Sequence, residues 1–202
     1  MSPRTAAVLR ERGGDLREHL VRTAARMIAA GGAVGLTVRA IAREAGVADG
    51  VLYNHFADKD ELLADAVLAH ARAVVSGLGA LPTPGDGDLA ANLRAHLDHG
   101  LALHRAVLPV LAGLVGQPGV LARVSTREGE PPWRARLLDY LRAERDLGRL
   151  HPDADVGAAA AVLVGVCHDE VLSAVLGSPA GGPSAGSVVA VVLDGIGARP
   201  MG

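Results

Sequence analysis

The stretch T-V-R-A-I-A-R-E-A-G-V-A-D-G-V-L-Y-N-H-F, residues 37–56, predicts two short helices joined by a tight turn. Thr37 is a suitable N-cap for the first helix, and apolar residues follow it at helical spacing. Gly46 predicts the end of that helix, because glycine takes a positive φ without a Cβ penalty. A second apolar set follows at Val47, Leu52 and Phe56. This pattern is typical of a DNA-binding helix-turn-helix, whose second helix is available for the major groove.

Helical patterns flank this stretch on both sides. Residues 15–30 carry apolar side chains at i, i+4, i+7 and i+8, with Asp15 as the expected cap. This helix is expected to lie under the helix-turn-helix and complete a three-helix core. Asp58 and Glu61 then have capping-box spacing at the head of a helix that is expected to reach about Gly77.

Together with its flanks, this region resembles the TetR family of ligand-responsive transcriptional repressors. The motifs that carry the resemblance are Leu36-Thr37-Val38-Arg39, Ala45-Gly46-Val47, Leu52-Tyr53-Asn54-His55-Phe56 and Asp58-Lys59-Asp60-Glu61-Leu62-Leu63. The resemblance implies an all-α protein with an N-terminal three-helix DNA-binding head and a C-terminal helical domain for effector binding and dimerisation. We therefore predict a flexible N-terminal arm over 1–14, a helix-turn-helix domain over 15–60, and an effector-binding and dimerisation domain over 61–202.

The predicted partner of the head is double-stranded operator DNA. By resemblance, Tyr53, His55 and Lys59 contact its backbone, and a phenol, an imidazole and an ammonium group suit that role. Arg39 is expected to reach a base edge, since arginine pairs bidentately with guanine. Further predicted contacts are a phosphate for Thr37, a thymine methyl for Val51, a base or a phosphate for Asn54, and positions Asp49 and Gly50.

Each of these side chains also has a structural interpretation. Tyr53 can wedge between helices, His55 can be a solvated surface residue, and Arg39 can pair with Glu44 or Asp49. The combined spacing of the motif, rather than any one side chain, favours DNA binding.

The contact face departs from the family pattern. Many relatives have Ser or Thr where this chain has Ala48, and a small hydroxyl residue in place of Val51. Asp49 is therefore predicted to replace the missing helix cap. Its negative charge would repel nearby phosphates, so this departure affects operator sequence and affinity.

Composition and charge indicate the class of protein. The chain has 202 residues, half of them hydrophobic, which is enough for a large core. Residues 1–60 hold 9 basic and 7 acidic side chains, against 11 and 15 in the remainder, so the head is the more positive part. The single cysteine, the lack of a signal peptide and an apolar run over 156–167 that is too short to span a bilayer predict a soluble cytoplasmic protein.

Beyond residue 77 the sequence predicts helices over 88–104, 105–115, 133–147, 155–176 and 187–196. The last of these has a valine run that propensity alone would place in a strand, but no second strand is predicted to pair with it. By resemblance, the segments 155–176 and 187–198 form a homodimer interface; ordinary core is the alternative. A two-fold dimer is also what two half-sites about 34–36 Å apart require.

An effector pocket is expected among the helices between residues 88 and 168. Its candidate polar groups are His96, His99, His104, Arg105, Tyr140 and His168, set against aliphatic walls. Because the chain has few aromatic residues, an aliphatic or mixed small molecule is favoured over a flat polyaromatic one.

Two other function classes compete with this interpretation. His96 and His99 lie at i, i+3 and could share a metal ion, which would make the protein a metal-sensing DNA-binding regulator. Cys167, His168 and Asp169 are neighbours in sequence, but successive helix residues point about 100° apart and cannot form one catalytic relay. We therefore predict no catalytic residue, no cofactor and no resident metal. The expected function is a homodimeric repressor that a small-molecule effector releases from a palindromic operator.

Overall fold

The computed structural model describes residues 3–127, 132–177 and 182–196, with side chains from residue 14 onward. The helices are α1 (Pro3–Gly31), α2 (Val38–Ala45), α3 (Asp49–Leu52), α4 (Lys59–Gly77), α5 (Leu89–Ala112), α6 (Pro118–Thr126), α7 (Trp133–Asp146), α8 (Val156–Val175) and α9 (Ala185–Ile196). Every regular element of the described ranges is thus a helix, and the predicted all-α fold is confirmed.

The turn between α2 and α3 forms as the sequence predicts. Thr37 has extended backbone, and its hydroxyl oxygen accepts a hydrogen bond from the Ala40 N–H at 3.1 Å. Gly46 lies in the left-handed region with φ +73°. The following N–H of Val47 donates to the carbonyl of Ala42 at 3.0 Å, which closes the last turn of α2.

The start of α4 is a capping arrangement close to the predicted one. The N–H of Glu61 donates to Asp58 Oδ1 at 2.9 Å. The Glu61 carboxylate reaches back to the N–H of Ala57 at 2.8 Å, one residue before the cap. Both bonds satisfy donors that the first turn of a helix leaves unpaired.

The N-terminal boundary differs from the prediction. Helix α1 begins at Pro3 and not at Asp15, so most of the segment predicted as an arm is helical. Proline is favourable in the first turn of a helix, and residues 4–12 consist largely of helix-forming types. The pair Gly13-Gly14, which suggested a break, lies inside the helix.

The chain divides into two compact units. Unit 1 contains Met1–Gly77 and Ala106–Glu128, and unit 2 contains Leu78–Arg105 and Gly129–Gly202. The division therefore does not follow the predicted boundary at residue 60. Helices α4 and α6 belong with the head because their apolar residues enter the same core, which contains Leu20, Ala24, Ile28, Ile41, Leu52, Phe56, Leu63, Val67, Val110, Leu114 and Val120.

Unit 2 has its own core. It is built by the first part of α5 together with α7, α8 and α9, and its largest members are Leu93, Leu97, Trp133, Leu137, Tyr140, Leu141, Leu150 and Leu163. Asp155 caps α8 as predicted, accepting from the Ala158 N–H at 2.9 Å. The valine-rich segment forms α9, which confirms that it is a helix and not a strand.

Helices α5 and α8 each bear on a prediction. The interruption expected at residues 104–105 is absent: α5 is continuous through Pro109, whose fixed φ is compatible with a helix even though it lacks an N–H donor. Helix α8 is long and apolar enough to cross a membrane by length and composition. However, one face of α8, including Leu163 and Cys167, is buried in the core of unit 2.

Replacing Gly46 by alanine tests the turn. An L-residue held in the left-handed region is disfavoured by about 1–2 kcal/mol, so Gly46→Ala should lower the free energy of unfolding by about that amount. Gly14→Ala adds the same methyl group within α1, where nothing lies within 4 Å of it and φ is ordinary, and should not destabilise the protein. Urea denaturation of both variants makes the comparison; equal stability would contradict the assigned turn.

Candidate nucleic-acid interface

One side of the helix-turn-helix is buried and fixes its frame. Ile41 and Ala42 of α2 are fully buried, as are Leu52 at the end of α3 and Phe56 just after it. The Arg17 guanidinium from α1 covers the Phe56 ring at 4.6 Å from its centroid. The opposite side of α2 and α3 consequently faces solvent.

The exposed side carries most of the predicted DNA contacts. The Arg39 side chain is 87% exposed, and Tyr53 is 63% exposed, so Tyr53 does not wedge between helices. Thr37, Gly50 and Asn54 are exposed as well. Of the remaining predicted residues, Val51, His55 and Lys59 are half-buried, and Asp49 is exposed.

Asp49 does not cap α3 as the sequence suggested. The cap position is held by Ala48, which offers no side-chain hydrogen bond. The Asp49 carboxylate instead accepts a hydrogen bond from Arg39 Nε, with 3.0 Å between Nε and Oδ2. One of the alternatives open from sequence, an Arg39–Asp49 pair, is therefore present in the structure.

Three arginines that the sequence analysis did not single out surround the first turns of α4. Arg123 on α6 makes two hydrogen bonds to the Asp58 carboxylate, one of them at 2.7 Å from Nη2 to Oδ2. Arg17 contacts both Glu61 at 3.0 Å and Asp65 at 2.5 Å, and Arg127 pairs with Asp65. Partners this far apart in sequence carry no local pattern, so only the fold reveals them.

These contacts shift the titration of the carboxyl groups. The Arg123 hydrogen bond, followed by the backbone N–H of Glu61, lowers the pKa of Asp58 to about 2. The Ala57 N–H, with Arg17 as a second contributor, lowers the pKa of Glu61. The start of α4 is therefore ionised and paired at neutral pH.

The sequence and fold agree with one family. Residues 20–66 match the model of bacterial regulatory proteins, tetR family, and this range includes α2, the turn, α3 and the start of α4. Residues 20–66 are a tetR-family DNA-binding domain. The helix-turn-helix formed by α2, the turn and α3 is the DNA-binding motif of that domain.

Solved structures of regulators share the fold along most of the chain. A tetR-family transcriptional regulator from Mesorhizobium loti matches with a TM-score of 0.69 and 19% identity over 93% of this chain and 99% of its own. The flavonoid-responsive regulator FrrA matches with a TM-score of 0.67 and 24% identity, over 93% and 100%. A protein described as a transcriptional regulator from Pseudomonas aeruginosa PAO1 matches with 0.59 and 25%, over 89% and 88%.

A comparison with curated proteins gives no match.

Unit 2 brings most of the predicted effector residues into two groups. The His96 and Tyr140 rings lie 4.3 Å apart between centroids, and both side chains are buried. The His104 ring lies 5.4 Å from Trp133 and 5.0 Å from His168, although His168 itself is exposed. His99 is buried, and Arg105 pairs with Glu170 at 2.8 Å through Nε.

Several buried polar atoms of unit 2 lack a hydrogen-bond partner among the described residues. They include both ring nitrogens of His96, Nε1 of Trp133 and the hydroxyl oxygen of Tyr140. Burial lowers the pKa of His96 to about 4, and it also lowers the pKa of His99 and His104. Burial, together with the neighbouring Glu144 carboxylate, raises the pKa of Tyr140. At neutral pH this region thus presents uncharged imidazoles and an uncharged phenol.

The competing functions find little support in this geometry. In the described parts of the chain, no group of three or more His, Cys, Asp or Glu side chains is placed to hold a metal ion, so the pairing of His96 and His99 lacks a third protein ligand. Cys167 is fully buried, and burial raises the pKa of its thiol to about 12. His168 and Asp169, by contrast, are exposed.

Two surface cavities lie in unit 1. One of about 370 Å³ is lined by residues of the arginine-rich surroundings of α4, including Arg17, Asp65 and Arg127. The other, of about 530 Å³, is lined by residues of α1 between His19 and Ala29 and by residues of α4 between Ala69 and Ala73. Neither cavity includes a predicted effector residue.

The ion pair between Arg123 and Asp58 leads to a test by pH. In Arg123→Ala the pKa of Asp58 should rise from about 2 toward the ordinary value of about 3.9. Since the folded-state pKa is depressed, the pair stabilises the protein at neutral pH and loses that effect as pH falls through the acidic range. The stability difference between wild type and variant, from urea unfolding, should therefore be larger at pH of about 6 than at about 3. Arg142→Ala, which removes an exposed pair with Asp139, is the control; a difference that does not vary with pH would contradict the assignment.

Proposed function

We propose that this protein is a transcriptional regulator of the tetR family, a homodimeric repressor that binds a palindromic operator and leaves it when a small-molecule effector binds. The observation that carries the proposal is the helix-turn-helix with one buried side and an exposed side bearing Arg39, Tyr53 and Asn54. The predicted division into a head up to residue 60 and an effector and dimerisation part beyond it remains a proposal. Action on DNA in the cell also implies a cytoplasmic location.

The proposed DNA contacts follow from the chemistry of the exposed groups. Thr37 accepts from the Ala40 N–H and keeps its hydroxyl hydrogen free for a phosphate oxygen. Tyr53, His55 and Lys59 contact the backbone, and Asn54 contacts a base or a phosphate. Arg39 has the donors to read guanine in the major groove. Asp49, Gly50 and Val51 complete the surface in the first turns of α3.

Dimerisation is supported by apolar side chains left exposed on the last two helices. On α8 these are Val162, Leu172, Val175 and the following Leu176, and on α9 Val191 is 72% exposed. Exposed apolar patches of this kind are typical of protein interfaces. The segments 155–176 and 187–198 are therefore the proposed interface. Residues 197–198 of the second segment lie outside the described residues.

The effector site is proposed around the buried polar groups of unit 2. Buried polar atoms are ordinarily hydrogen-bonded, and those of His96, Trp133 and Tyr140 have no such partner among the described residues. A small molecule with hydrogen-bonding groups on an otherwise apolar body would supply them, with His99, His104 and His168 as further contacts. To release DNA, the effector must bind the DNA-incompetent state more tightly than the competent one.

The DNA-reading role of Arg39 is tested with a matched pair of variants. Arg39→Ala should lower discrimination between the operator and a duplex altered at the contacted base pair by about 1–3 kcal/mol, about 5- to 150-fold. Arg43→Ala removes another exposed arginine of α2 and should leave discrimination unchanged. Electrophoretic mobility shifts at fixed low salt provide the affinities. Equal binding of the wild type to its own promoter region and to a random duplex would contradict specific repression.

The interface is tested by placing a charge in it. Val191→Glu should shift the protein from dimer to monomer and raise the Kd for operator DNA by about tenfold or more, because one head reads a single half-site. Leu147→Glu introduces the same charge at the residue that follows α7, which is 58% exposed and belongs to neither proposed interface segment, and should leave the dimer intact. Sedimentation velocity reports the oligomeric state and circular dichroism the helix content. A dimeric Val191→Glu variant would place the interface elsewhere.

A further inference from the structure

The contact between Arg39 and Asp49 engages one particular nitrogen of the guanidinium. Arg39 Nε, the donor nearest the aliphatic stem, lies 3.0 Å from Asp49 Oδ2. The two terminal amino groups, Nη1 and Nη2, have no partner among the described residues. Arg39 comes from the first turn of α2 and Asp49 from the first turn of α3, so the pair joins the two helices of the helix-turn-helix on its solvent side.

The fold itself gains little from this pair. The side chain of Arg39 is 87% exposed and that of Asp49 is 47% exposed, and ion pairs at such surfaces contribute about 0–1 kcal/mol. Asp49 does not cap α3. A carboxylate on a DNA-binding face also opposes the phosphates, so its presence there weakens binding to DNA of any sequence.

The geometry of the pair suits base recognition. Bidentate pairing with guanine requires two N–H donors in one plane, directed at O6 and N7. A free arginine carries about 2 kcal/mol of rotamer entropy, part of which is lost when it is held for such a contact. A carboxylate on Nε fixes the plane of the guanidinium in advance and leaves both terminal amino groups available.

We propose that Asp49 is a positioning residue that holds the Arg39 guanidinium for bidentate recognition of guanine, so that each operator half-site contains a G·C pair read through this couple. The inference rests on the proposed DNA-binding function and specifies what its site recognises. The negative charge of Asp49 has a second effect: it offsets the attraction of Arg39 to phosphates, so that the base edge is the favoured acceptor. Specificity then comes from a repulsive element as well as an attractive one.

The test begins with selection of bound sequences from a pool of random duplexes by the wild-type protein. The G·C pair whose preference disappears in Arg39→Ala is the Arg39-dependent pair. In Asp49→Ala, which leaves no acceptor for Arg39 Nε, discrimination at that same pair should fall by about tenfold, within the range known for a single bidentate contact. Affinity for a non-specific duplex should rise at the same time. The slope of log K against log salt should steepen by about one, because Arg39 becomes free to contact a phosphate.

Two variants separate positioning from charge. Glu44→Gln removes an equal charge from the exposed side of α2 and should raise affinity for all duplexes alike, with discrimination unchanged. Arg39→Lys keeps the positive charge but loses the planar fork that Asp49 holds, and should weaken the guanine preference. Thermal unfolding of Asp49→Ala should match the wild type closely, since the pair adds little to stability.

The outcomes distinguish the inference from the function on which it rests. If the wild type enriches a sequence but Asp49→Ala keeps full discrimination at the Arg39-dependent pair, the positioning role is wrong and the function stands. A preference lost at a different base pair would mean that Asp49 reads a base itself, which also overturns the proposal. If Arg39→Ala loses no preference for guanine, Arg39 and Asp49 do not recognise a base, and the proposal is wrong. Failure of the wild type to enrich any sequence would overturn the proposed function, and the inference with it.

Discussion

The burial of one side of the α2-turn-α3 unit is the constraint on which the contact surface depends. Ile41, Leu52 and Phe56 are removed from solvent, and each such side chain contributes about 1.5–3 kcal/mol relative to exposure. Gly46 allows the chain to reverse between the helices without displacing those residues. With one side occupied by the core, Arg39, Tyr53 and Asn54 have no direction left except toward solvent, where a duplex can meet them.

Charged groups are paired differently at the start of α4 and on the exposed face of α2 and α3. At the start of α4 three carboxylates, Asp58, Glu61 and Asp65, each have an arginine partner from α1 or α6, so acids close to the helix-turn-helix are largely neutralised. On the exposed face, the Asp49 carboxylate instead forms an ion pair with Arg39 and partly offsets its positive charge. The modest positive net charge of residues 1–60 is therefore a poor guide to the electrostatic potential that DNA would meet. That potential depends on which individual charged groups are paired with one another.

The local features of the fold were predictable because the residues that specify them are neighbours in sequence. Thr37, Gly46, Asp58 with Glu61, and Asp155 each act within one helical turn, and all behave as their spacing indicates. The start of α1 was not predictable from the glycine pair, because a long helix tolerates a penalty of about 1 kcal/mol per glycine. Nor was the placement of α6 with the head, which depends on contacts across about 65 positions, such as Arg123 with Asp58.

For the candidate site, the residues of the predicted contact face could be named from the sequence, but their ion pairs and their burial could not. Arg39 could have paired with Glu44 or Asp49, and only the orientation of α3 relative to α2 selects Asp49. The absence of a side-chain cap on α3 follows from where the helix starts, because the N-cap is Ala48 and Asp49 is the first helical residue. In unit 2, composition suggested histidines for an effector site, whereas burial divides them into uncharged interior groups and the exposed His168.

Unit 1 is assembled from two separate stretches of chain. The residues between them in sequence, which include the first part of α5, belong to unit 2. Val110, Leu114 and Val120 come from the second stretch and are buried in the same core as the helix-turn-helix. The head is consequently not a transferable module: a fragment ending at residue 60 or 77 would expose the apolar surface that those three residues cover. A chimera that exchanges operator specificity between relatives would have to carry residues 106–127 along with the N-terminal helices, or else graft only the solvent-facing side chains of α2 and α3.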